Sequence, residues 1–365
     1  MRILVTGGAG FIGSNFLQTL VPLHPEHSFL CFDKLTYAGN LLSLSEIQGA
    51  KNFSLEVADV ADAESVTRIF GDFRPDVVVH FAAESHVDRS IHDPGEFVRT
   101  NVVGTLQLLN ASRSCAKSSP AFRFHHVSTD EVYGSLEDEG TFTEDSRYDP
   151  SSPYAASKAS SDHLVRAFHR TYGLPVTITN CSNNYGPRQA PEKLIPLTML
   201  NALEGRELPV YGTGGNSRDW LFVEDHCEAV WTVIERGRVG QTYNVGGGEE
   251  RTNIDVVRAI CRLVAEKTGR PAEDVLGLIR FVADRPGHDW RYAIDASKLQ
   301  QELGWQPKLR LTDGLARTLS WYMSNPAWVK AVQAGEHQKW LEKNYDRRPA
   351  HAQAAAANST KGTHS

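Results

Sequence analysis

The sequence has few cysteines, no long apolar stretch and no excess of basic residues, and each absence excludes a class of protein. Its five cysteines are widely spaced and include no C-x-x-C pair, so they argue against a zinc site or a disulfide framework and favour buried thiols in a reducing compartment. No stretch reaches the ~18 apolar residues of a membrane-spanning helix. A net charge of −6 argues against a nucleic-acid-binding surface. We therefore expect a cytoplasmic protein that carries no metal and binds neither membranes nor nucleic acids.

The composition is that of an ordinary globular protein, with 41% apolar and 22% charged residues. A chain of 365 residues has room for two modest domains. The first residues already have the pattern of a strand, which leaves no room for a signal peptide.

A glycine-rich turn follows this first predicted strand. Gly8, Gly10 and Gly13 fit the pattern G-x-G-x-x-G, while Gly7, Gly10 and Gly13 fit the related G-x-x-G-x-x-G spacing. A predicted helix begins directly after the turn. Glycines in this position permit a tight turn and let backbone N–H groups approach a pyrophosphate at the helix N-terminus. The turn therefore predicts a dinucleotide-binding site that includes Gly7, Gly10 and Gly13.

An acidic residue stands where such a site would hold the adenosine ribose. The second predicted strand, residues 28–32, ends at Asp33, twenty residues past Gly13. A carboxylate there binds the ribose hydroxyls and repels a 2′-phosphate, so the cofactor is predicted to be NAD rather than NADP. Lys34 is adjacent and would soften that repulsion.

Strands and helices continue to alternate as far as residue 181, which predicts a Rossmann-type, doubly wound parallel sheet of the α/β class. Asp59 follows the third strand, where it either caps the next helix or contacts the adenine. Thr100 and Asn101 lie inside a predicted helix, and Asn101 is either tolerated there or bonded to a neighbouring strand or the cofactor. The further predicted strands span residues 53–57, 76–81, 122–127 and 175–181, and the helices span residues 61–70, 94–114 and 152–172.

Two carboxylates and a hydroxyl follow the fifth strand. Thr129, Asp130 and Glu131 fall at the carboxyl end of a parallel strand, where ligands bind in open α/β sheets. Adjacent desolvated carboxylates repel each other, so one can stay protonated while the other is charged, which gives an acid and a base together. The alternative is that they begin a solvated loop.

A tyrosine and a lysine share one face of the next predicted helix. Tyr154 and Lys158 are four residues apart, and an ammonium near a phenol favours the phenolate and makes it a usable base. The alternative is an ordinary surface pair.

Beyond residue 181 the segments are shorter and richer in glycine and proline, which predicts a smaller mixed α/β domain for the substrate. We expect an NAD-binding domain over residues 1–185, rejoined by about 219–250, where the helix at 225–236 packs back onto it. Residues 186–345 would form mainly the substrate-binding domain, and residues 346–365 a disordered tail.

Taken together, these motifs resemble the extended short-chain dehydrogenase/reductases that act on nucleotide sugars, and more narrowly the dTDP-glucose 4,6-dehydratase family. The resemblance runs from residue 1 to about 322. Related epimerases share the glycine turn and the Tyr/Lys pair but generally lack the Asp-Glu pair. The specific strings are residues 81–90 (FAAESHVDRS), 128–134 (STDEVYG), 183–188 (NNYGPR) and 284–288 (DRPGH).

The resemblance implies a reaction in which NAD-dependent oxidation at C4 precedes loss of water across C5 and C6. Tyr154 would take the C4 hydroxyl proton, while Lys158 would hold the nicotinamide ribose and lower the tyrosine pKa. Thr129 would bond the C4 oxygen, Glu131 would remove the C5 proton, and protonated Asp130 would donate to the departing C6 hydroxyl. The hydride would return to C6, leaving NAD as it began.

The same resemblance implies the contacts with each ligand. Beside the glycines, Tyr154 and Lys158, the cofactor would touch Phe11, Ile12, Asp33, Lys34, Leu35, Thr36, Asp59, Val60, Ala82, Ala83, Thr100 and Asn184. The nucleotide sugar would touch Thr129, Ser85, Asn183, Lys193, Leu194, Pro209, Tyr211, Arg218, Asn253, Arg285 and His288.

Several alternatives stay open. A nucleotide-sugar 4-epimerase, a dehydratase of another nucleoside-diphosphate glucose, and a cofactor-binding scaffold without catalysis each fit part of the pattern. The resemblance also implies a homodimer formed by the helices at 94–114 and 152–172. Their apolar residues suit either that interface or packing on their own sheet, namely Leu106, Leu109, Leu164, Val165 and Phe168.

Overall fold

The computed structural model of the chain describes residues 1–285 and 287–334, so the predicted disordered tail at 346–365 lies outside the described residues. In chain order the strands are β1 Arg2–Thr6, β2 Ser28–Asp33, β3 Phe53–Val57, β4 Val77–His80, β5 Arg123–Thr129, β6 Val176–Cys181, β7 Asn183–Tyr185, β8 Leu208–Tyr211, β9 Ser217–Phe222, β10 Thr242–Val245, β11 Glu250–Thr252 and β12 Ile279–Val282.

The helices alternate with these strands in the first half and cluster in the second. They are α1 Phe11–Leu23, α2 Ala63–Phe73, α3 Val87–His92, α4 Pro94–Phe97, α5 Thr105–Ser118, α6 Pro153–Tyr172, α7 Leu194–Glu204, α8 Val223–Arg236, α9 Asn253–Thr268, α10 Ala272–Leu276, α11 Ser297–Leu303, α12 Leu311–Ser324 and α13 Pro326–Gln333.

The largest sheet has seven strands, all parallel, in the order β10-β6-β5-β4-β1-β2-β3. This confirms the predicted doubly wound α/β sheet. The order reverses between β1 and β4, so the carboxyl ends of these strands leave a crevice, which is where ligands bind in such sheets.

Helices cover both faces of this sheet. On one face α1 packs against α8, with Phe16 and Trp231 in edge contact, so the helix predicted at 225–236 does return to the first sheet. On the other face lie α2, α5 and α6. Leu109, Val165 and Phe168 are buried there against the sheet, and Leu106 and Leu164 pack beside them.

The α6 helix has well-formed ends, which fix the residues it carries. The Ser152 hydroxyl accepts a hydrogen bond from the Ala155 backbone N–H at 3.1 Å, and Pro153 occupies the first turn, where no N–H is needed. Gly173 ends the helix in the left-handed conformation, at φ 66°.

Two local predictions need correction. The N-cap of α2 is Asp62, whose carboxylate accepts from the backbone N–H groups of Glu64 and Ser65, so Asp59 is not the cap. The helix predicted at 94–114 is interrupted by a π-helix at Val98–Gly104. Such turns frequently mark functional sites, and sequence periodicity does not reveal them.

Asn101 lies in the π-helix, and its side chain is fully bonded to neighbouring segments. The amide accepts from the Glu84 backbone N–H at 2.9 Å and donates to the Glu84 carbonyl at 3.0 Å and to the Ser157 hydroxyl at 2.8 Å. It therefore joins the loop after β4 to α6.

The second half of the chain adds two small sheets, β11-β9-β7 and β12-β8. Helices α7, α9 and α12 pack around them in a separate apolar core that includes Met199, Ile260 and Leu315. Within the described ranges no helix is both long and apolar enough to cross a membrane. The five cysteines are free thiols; four are buried as predicted, but Cys115 is only partly buried.

The glycine turn supplies a stability prediction. A Cβ at Gly13 would lie 2.3 Å from the Gly7 carbonyl oxygen and 2.8 Å from the Gly8 Cα, and both are backbone atoms. Gly13→Ala should therefore lower the free energy of unfolding by ~1–3 kcal/mol, measured by urea denaturation.

The matched control is Gly71→Ala. Gly71 is exposed inside α2 and a Cβ there meets nothing within 4 Å, so alanine should raise the free energy of unfolding by ~0.5–1 kcal/mol. Equal stability of Gly13→Ala and the parent protein would contradict the predicted clash between a Cβ at residue 13 and the backbone of the glycine turn.

Candidate active site

A cavity opens at the carboxyl ends of β1, β2, β4, β5 and β6. It brings together most of the predicted site residues. Those that line it are Gly7, Gly10, Phe11, Ile12, Gly13, Asp33, Lys34, Thr36, Asp59, Val60, Ala82, Ala83, Ser85, Thr100, Thr129, Asp130, Glu131, Tyr154, Lys158, Asn183, Asn184 and Lys193.

The glycine turn forms the floor of one end of the cavity, pressed against the loop after β4. Gly7 has φ +68°, and a Cβ there would lie 2.6 Å from the Ala82 backbone nitrogen. Only glycine combines this conformation with so close an approach. The turn thus leaves a recess at the N-terminus of α1, which suits the pyrophosphate of a dinucleotide.

Two acidic residues line the ribose end of this recess. Asp33 is buried and accepts from the backbone N–H groups of Ala9, at 2.9 Å, and Leu35, at 2.8 Å. Burial raises the pKa of Asp33, although these bonds oppose the shift. The Asp59 carboxylate is paired with the Lys34 ammonium at 3.3 Å and with the Arg99 guanidinium at 3.0 Å. The Asp33 carboxylate can accept hydrogen bonds from a ribose diol and disfavours a 2′-phosphate, which fits NAD.

The Asp130 side chain is buried at the start of the short 3-10 turn that follows β5. One carboxyl oxygen lies 3.2 Å from the Thr129 hydroxyl, while the other is buried without a hydrogen-bond partner among the described residues. Burial, and then the charges of Glu131 and Asp219, raise the pKa of Asp130 well above its ordinary value. Burial thus favours the protonated, neutral form of Asp130.

Glu131 has a different environment, although it is the next residue. Its side chain is only partly buried, and its backbone N–H donates to the Thr129 hydroxyl at 3.2 Å. Burial raises the pKa of Glu131, but the positive charges of Arg285, Lys193 and Arg218 oppose that shift. The cations thus offset part of the effect of burial on Glu131, so its charged form is favoured relative to that of Asp130.

Tyr154 and Lys158 lie on one face of α6 and both line the cavity. The Lys158 ammonium donates to the Val127 carbonyl at 2.9 Å. Burial, and then the Glu131 charge, raise the pKa of Tyr154 well above its ordinary value, whereas a bond with the Thr129 hydroxyl lowers it. The lowering of the tyrosine pKa that the resemblance implies depends on Lys158 together with the positive charge of the cofactor, and it stays a prediction.

The predicted substrate residues divide into two groups. Ser85, Asn183 and Lys193 line the cavity, and the Lys193 ammonium donates to the Ser85 carbonyl at 3.2 Å. Other predicted contacts do not line it, namely the cofactor residue Leu35 and the substrate residues Leu194, Pro209, Tyr211, Arg218, Asn253, Arg285 and His288.

Those outlying cations and hydroxyls are held by protein partners instead. Arg285 donates to one carboxylate oxygen of Asp88 at 3.1 Å, and the Tyr211 hydroxyl donates to the other at 3.0 Å. Arg218 donates to the Asp289 carbonyl at 2.9 Å and lies over the Tyr292 ring.

The cavity also contains residues that the sequence did not indicate. Tyr37 donates to the Glu84 carboxylate at 2.8 Å, and both line the cavity with Glu192. Glu84 lies within the sequence string of residues 81–90, and that string already indicated that this region belongs to the site. Trp328 on α13 also lines the cavity, and its indole N–H donates to the Ser43 hydroxyl at 2.9 Å. No local sequence pattern predicts that contact.

Comparison with known proteins gives one family. Residues 4–318 match the family model of GDP-mannose 4,6 dehydratase. The chain is 53% identical to dTDP-glucose 4,6-dehydratase of Shigella flexneri, over 95% of this chain and 100% of the relative. It is 56% identical to the enzyme of that name from Xanthomonas campestris, over 92% of this chain and 97% of the relative.

Solved structures agree with this result. A structure of dTDP-glucose 4,6-dehydratase from Streptomyces venezuelae with NAD bound has a TM-score of 0.83 at 46% identity, covering 91% of this chain and 100% of the other. UDP-glucose 4-epimerase from Thermotoga maritima has a TM-score of 0.79 at 30% identity, covering 89% and 100%.

The identity to dehydratases thus exceeds that to the epimerase, and the chain retains the adjacent Asp130 and Glu131. With the family model matched over residues 4–318 and more than half of its residues shared with these relatives, the chain belongs to the nucleotide-sugar 4,6-dehydratase family of the extended short-chain dehydrogenase/reductases.

Proposed function

We propose that this protein is an NAD-dependent hydro-lyase that converts dTDP-glucose into dTDP-4-keto-6-deoxyglucose. The observation that carries the proposal is the pair Asp130 and Glu131, two adjacent carboxyls in unlike environments beside Tyr154. A reaction that abstracts one proton and donates another at neighbouring carbons needs such a pair.

The order of steps follows from the acidity of the sugar. The C5 hydrogen of glucose is not acidic, so water is not eliminated directly across C5 and C6. Oxidation of C4 to a ketone places the C5 hydrogen next to a carbonyl and makes it removable. Bound NAD supplies the hydride acceptor for this oxidation and afterwards the donor to C6.

The residues of the chain divide the proton transfers between them. Tyr154 takes the proton of the C4 hydroxyl, while Thr129 bonds the same oxygen. Glu131 takes the C5 proton, and Asp130 gives its proton to the departing C6 hydroxyl, which leaves as water. Glu131 exchanges its proton with solvent and then returns one to C5 as C6 is reduced. The sugar thus loses only one molecule of water. Tyr154 releases the proton of the C4 hydroxyl to solvent, and Asp130 recovers a proton from solvent.

Lys158 serves the cofactor side of the site in this proposal. Its side chain is anchored by the Val127 carbonyl and lies one helical turn from Tyr154, where it would bind the nicotinamide ribose. Asp33 and Asp59, at the other end of the cavity, would meet the adenosine. The remaining cavity-lining residues predicted for NAD keep that role in the proposal.

The diphosphate of the substrate would be met by cations beside Glu131. Lys193 lines the cavity, and the charges of Arg218 and Arg285 already act on Glu131. Planar guanidinium groups bind phosphate oxygens two at a time. Arg285 would release or share its bond with Asp88 as the nucleotide enters, bringing its neighbours Tyr211 and His288 toward the ligand.

The test of the function is a reaction of the protein with NAD and dTDP-glucose in D2O. A dehydratase should give a 4-keto-6-deoxy sugar with deuterium at C5, detected by NMR and mass spectrometry. A 4-epimerase, whose solved structures are similar to this chain, would give the galactose configuration without deuterium and would overturn the proposal.

Parallel reactions with UDP-glucose measure whether the protein prefers thymine or uracil as the nucleotide base. Thymidine and uridine diphosphates differ by one methyl group, which is worth only ~1–3 kcal/mol in a pocket. No product from any nucleotide sugar would instead support a binding scaffold without catalysis.

Removal of the proposed base gives a sharper prediction. Glu131→Gln keeps the shape of the side chain but not its proton acceptor, so steady turnover should fall by ~10²–10⁴-fold. Oxidation at C4 does not require Glu131, so reduced nicotinamide should still be seen by absorbance when the variant is mixed with substrate. Tyr154→Phe should prevent that absorbance change, because it removes the base for the oxidation.

The matched control is Glu139→Gln, which changes an exposed carboxylate of the loop after β5 and should leave turnover unchanged. Asp130→Asn should slow product formation while deuterium exchange at C5 survives. Parental turnover by Glu131→Gln, or loss of both the absorbance change and product in a variant that still binds substrate, would contradict the assignment.

We also propose a two-fold homodimer that pairs the helical segment at 94–114 and α6 with their copies. The apolar residues Val98 and Tyr172 are each 51% exposed on the outer surface of these segments, whereas Leu109 and Val165 are buried against the sheet. Exposed apolar groups on adjacent helices suit a four-helix interface.

Sedimentation equilibrium at micromolar protein should give the mass of two chains. Val98→Glu should raise the dimer dissociation constant at least ~10-fold, because it places an unpaired carboxylate in the interface. Met323→Glu, which changes an exposed side chain of α12, is the control and should leave the constant unchanged. A monomer mass for the parent protein would refute the dimer.

The remaining assignments complete the proposal. Residues 1–185 with about 219–250 would form the NAD-binding unit and residues 186–345 mainly the substrate-binding unit, of which residues 335–345 lie outside the described residues. Five free thiols suit a reducing compartment, so we place the protein in the cytoplasm. Its 4-keto-6-deoxy product would feed the biosynthesis of deoxysugars.

A further inference from the structure

We propose that the turn between α1 and β2 binds a divalent transition-metal ion of the zinc class through His24, Glu26 and His27. Among the residues that the structure describes, these are the three His, Cys, Asp or Glu side chains whose donor atoms lie close enough together to share one ion. The turn does not line the cavity. It lies at the far end of α1 from the glycine turn, about 20 Å away for a helix of 13 residues.

The spacing of the donor atoms suits a tetrahedral ion. A Glu26 carboxylate oxygen lies 3.2 Å from His24 Nδ1 and 3.4 Å from His27 Nδ1, and all the donor atoms fall within 4.8 Å of one another. Bonds of ~2.0–2.2 Å at tetrahedral angles place two ligand atoms ~3.3–3.5 Å apart. The carboxylate oxygen therefore already has the spacing of a shared ligand set, and water would fill the fourth position.

Neighbouring residues hold the two imidazoles in place. The rings are nearly parallel, at 7°, and their centroids lie 4.9 and 6.1 Å from that of Trp231 on α8. The Asn52 amide donates to the His24 carbonyl at 3.1 Å, and the His27 backbone N–H donates to the same carbonyl at 3.1 Å. Pro25 restricts the backbone of the turn. One of the two stacked rings would have to rotate for both nitrogen lone pairs to point at the same ion.

One group would compete with a metal ion for His27. The Met1 nitrogen lies 3.3 Å from His27 Nδ1, so an entering cation must displace this group.

The cluster is also accessible to solvent. The side chains of His24, Glu26 and His27 are 24%, 60% and 14% exposed, so an ion can reach them without opening the fold. Two direct His–Glu contacts would be exchanged for bonds to the ion. The bound ion would then tie the end of α1 to the start of β2 against Trp231.

The test is equilibrium dialysis of the chelator-treated full chain against Zn²⁺, combined with isothermal titration. One site should be seen in the parent protein, and His24→Gln and His27→Gln should each weaken it by more than ~10-fold, because even residues that only support metal ligands are worth ~10–100-fold. Zn²⁺ should raise the thermal unfolding midpoint of the parent protein but not that of the double variant.

Two controls keep the result specific. His92→Gln changes an exposed imidazole at the end of α3 and should retain the site with its affinity unchanged. Unfolding midpoints without metal establish that each variant is folded. Absence of a Zn²⁺ site in the parent protein, or equal affinity in the parent and the double variant, would overturn the proposal.

Discussion

The desolvation of Asp130 beside a second carboxyl is the constraint on which the candidate site depends. Two adjacent carboxyls at the end of a buried strand cannot both be charged at low cost, so the surroundings decide which one keeps its proton. Burial raises the pKa of Asp130 well above its ordinary value and so favours its neutral form. Three cations on segments far along the chain act on the Glu131 charge. An acid and a base thus arise from one dipeptide because the fold surrounds its two members differently.

The lysine of the site is balanced by charge deeper in the fold. Asp162, one turn after Lys158 on α6, is fully buried and accepts from the Tyr148 hydroxyl at 2.7 Å and the Ser128 hydroxyl at 3.0 Å. Its carboxylate raises the pKa of Lys158 against the effect of burial. Burial alone would raise the pKa of Asp162, but His126, Lys158 and the Tyr148 hydrogen bond hold it below its ordinary value. The buried ammonium therefore has a compensating charge, without which its burial would favour the neutral amine.

Asp88 connects the two parts of the architecture. It is buried at the start of α3, beside the cavity, and it binds both Tyr211 on β8 and Arg285 after β12. The paired arginine lowers the pKa of Asp88, although burial acts in the opposite direction and more strongly than any other single cause. The two-stranded sheet β12-β8 and helix α3 are thus joined through the Asp88 carboxylate next to the candidate site. This contact couples the position of Arg285 to the loop that carries Ser85.

The sequence by itself determined the parallel sheet, the glycine turn, Asp33 and the position of Thr129, Asp130 and Glu131, because each depends on short-range periodicity or on a motif at the end of a strand. The Asp62 cap of α2 is also local, because its carboxylate accepts from backbone N–H groups two and three residues further on, and the error concerned only where the helix begins. Tertiary structure decided the longer-range contacts. It also decided that Asn101 bonds Glu84 and Ser157 from within a π-helix.

The positive charges around Glu131 were likewise placed there by the tertiary structure. Arg285 and Asp88 are 197 residues apart, and Trp328 reaches the cavity from the last described helix. Spacing along a chain carries no information about such contacts, because they arise only when distant segments pack together. The sequence therefore indicated which kinds of side chain form the site. The protonation states and partners of those side chains were set by burial and by charges that folding brings near.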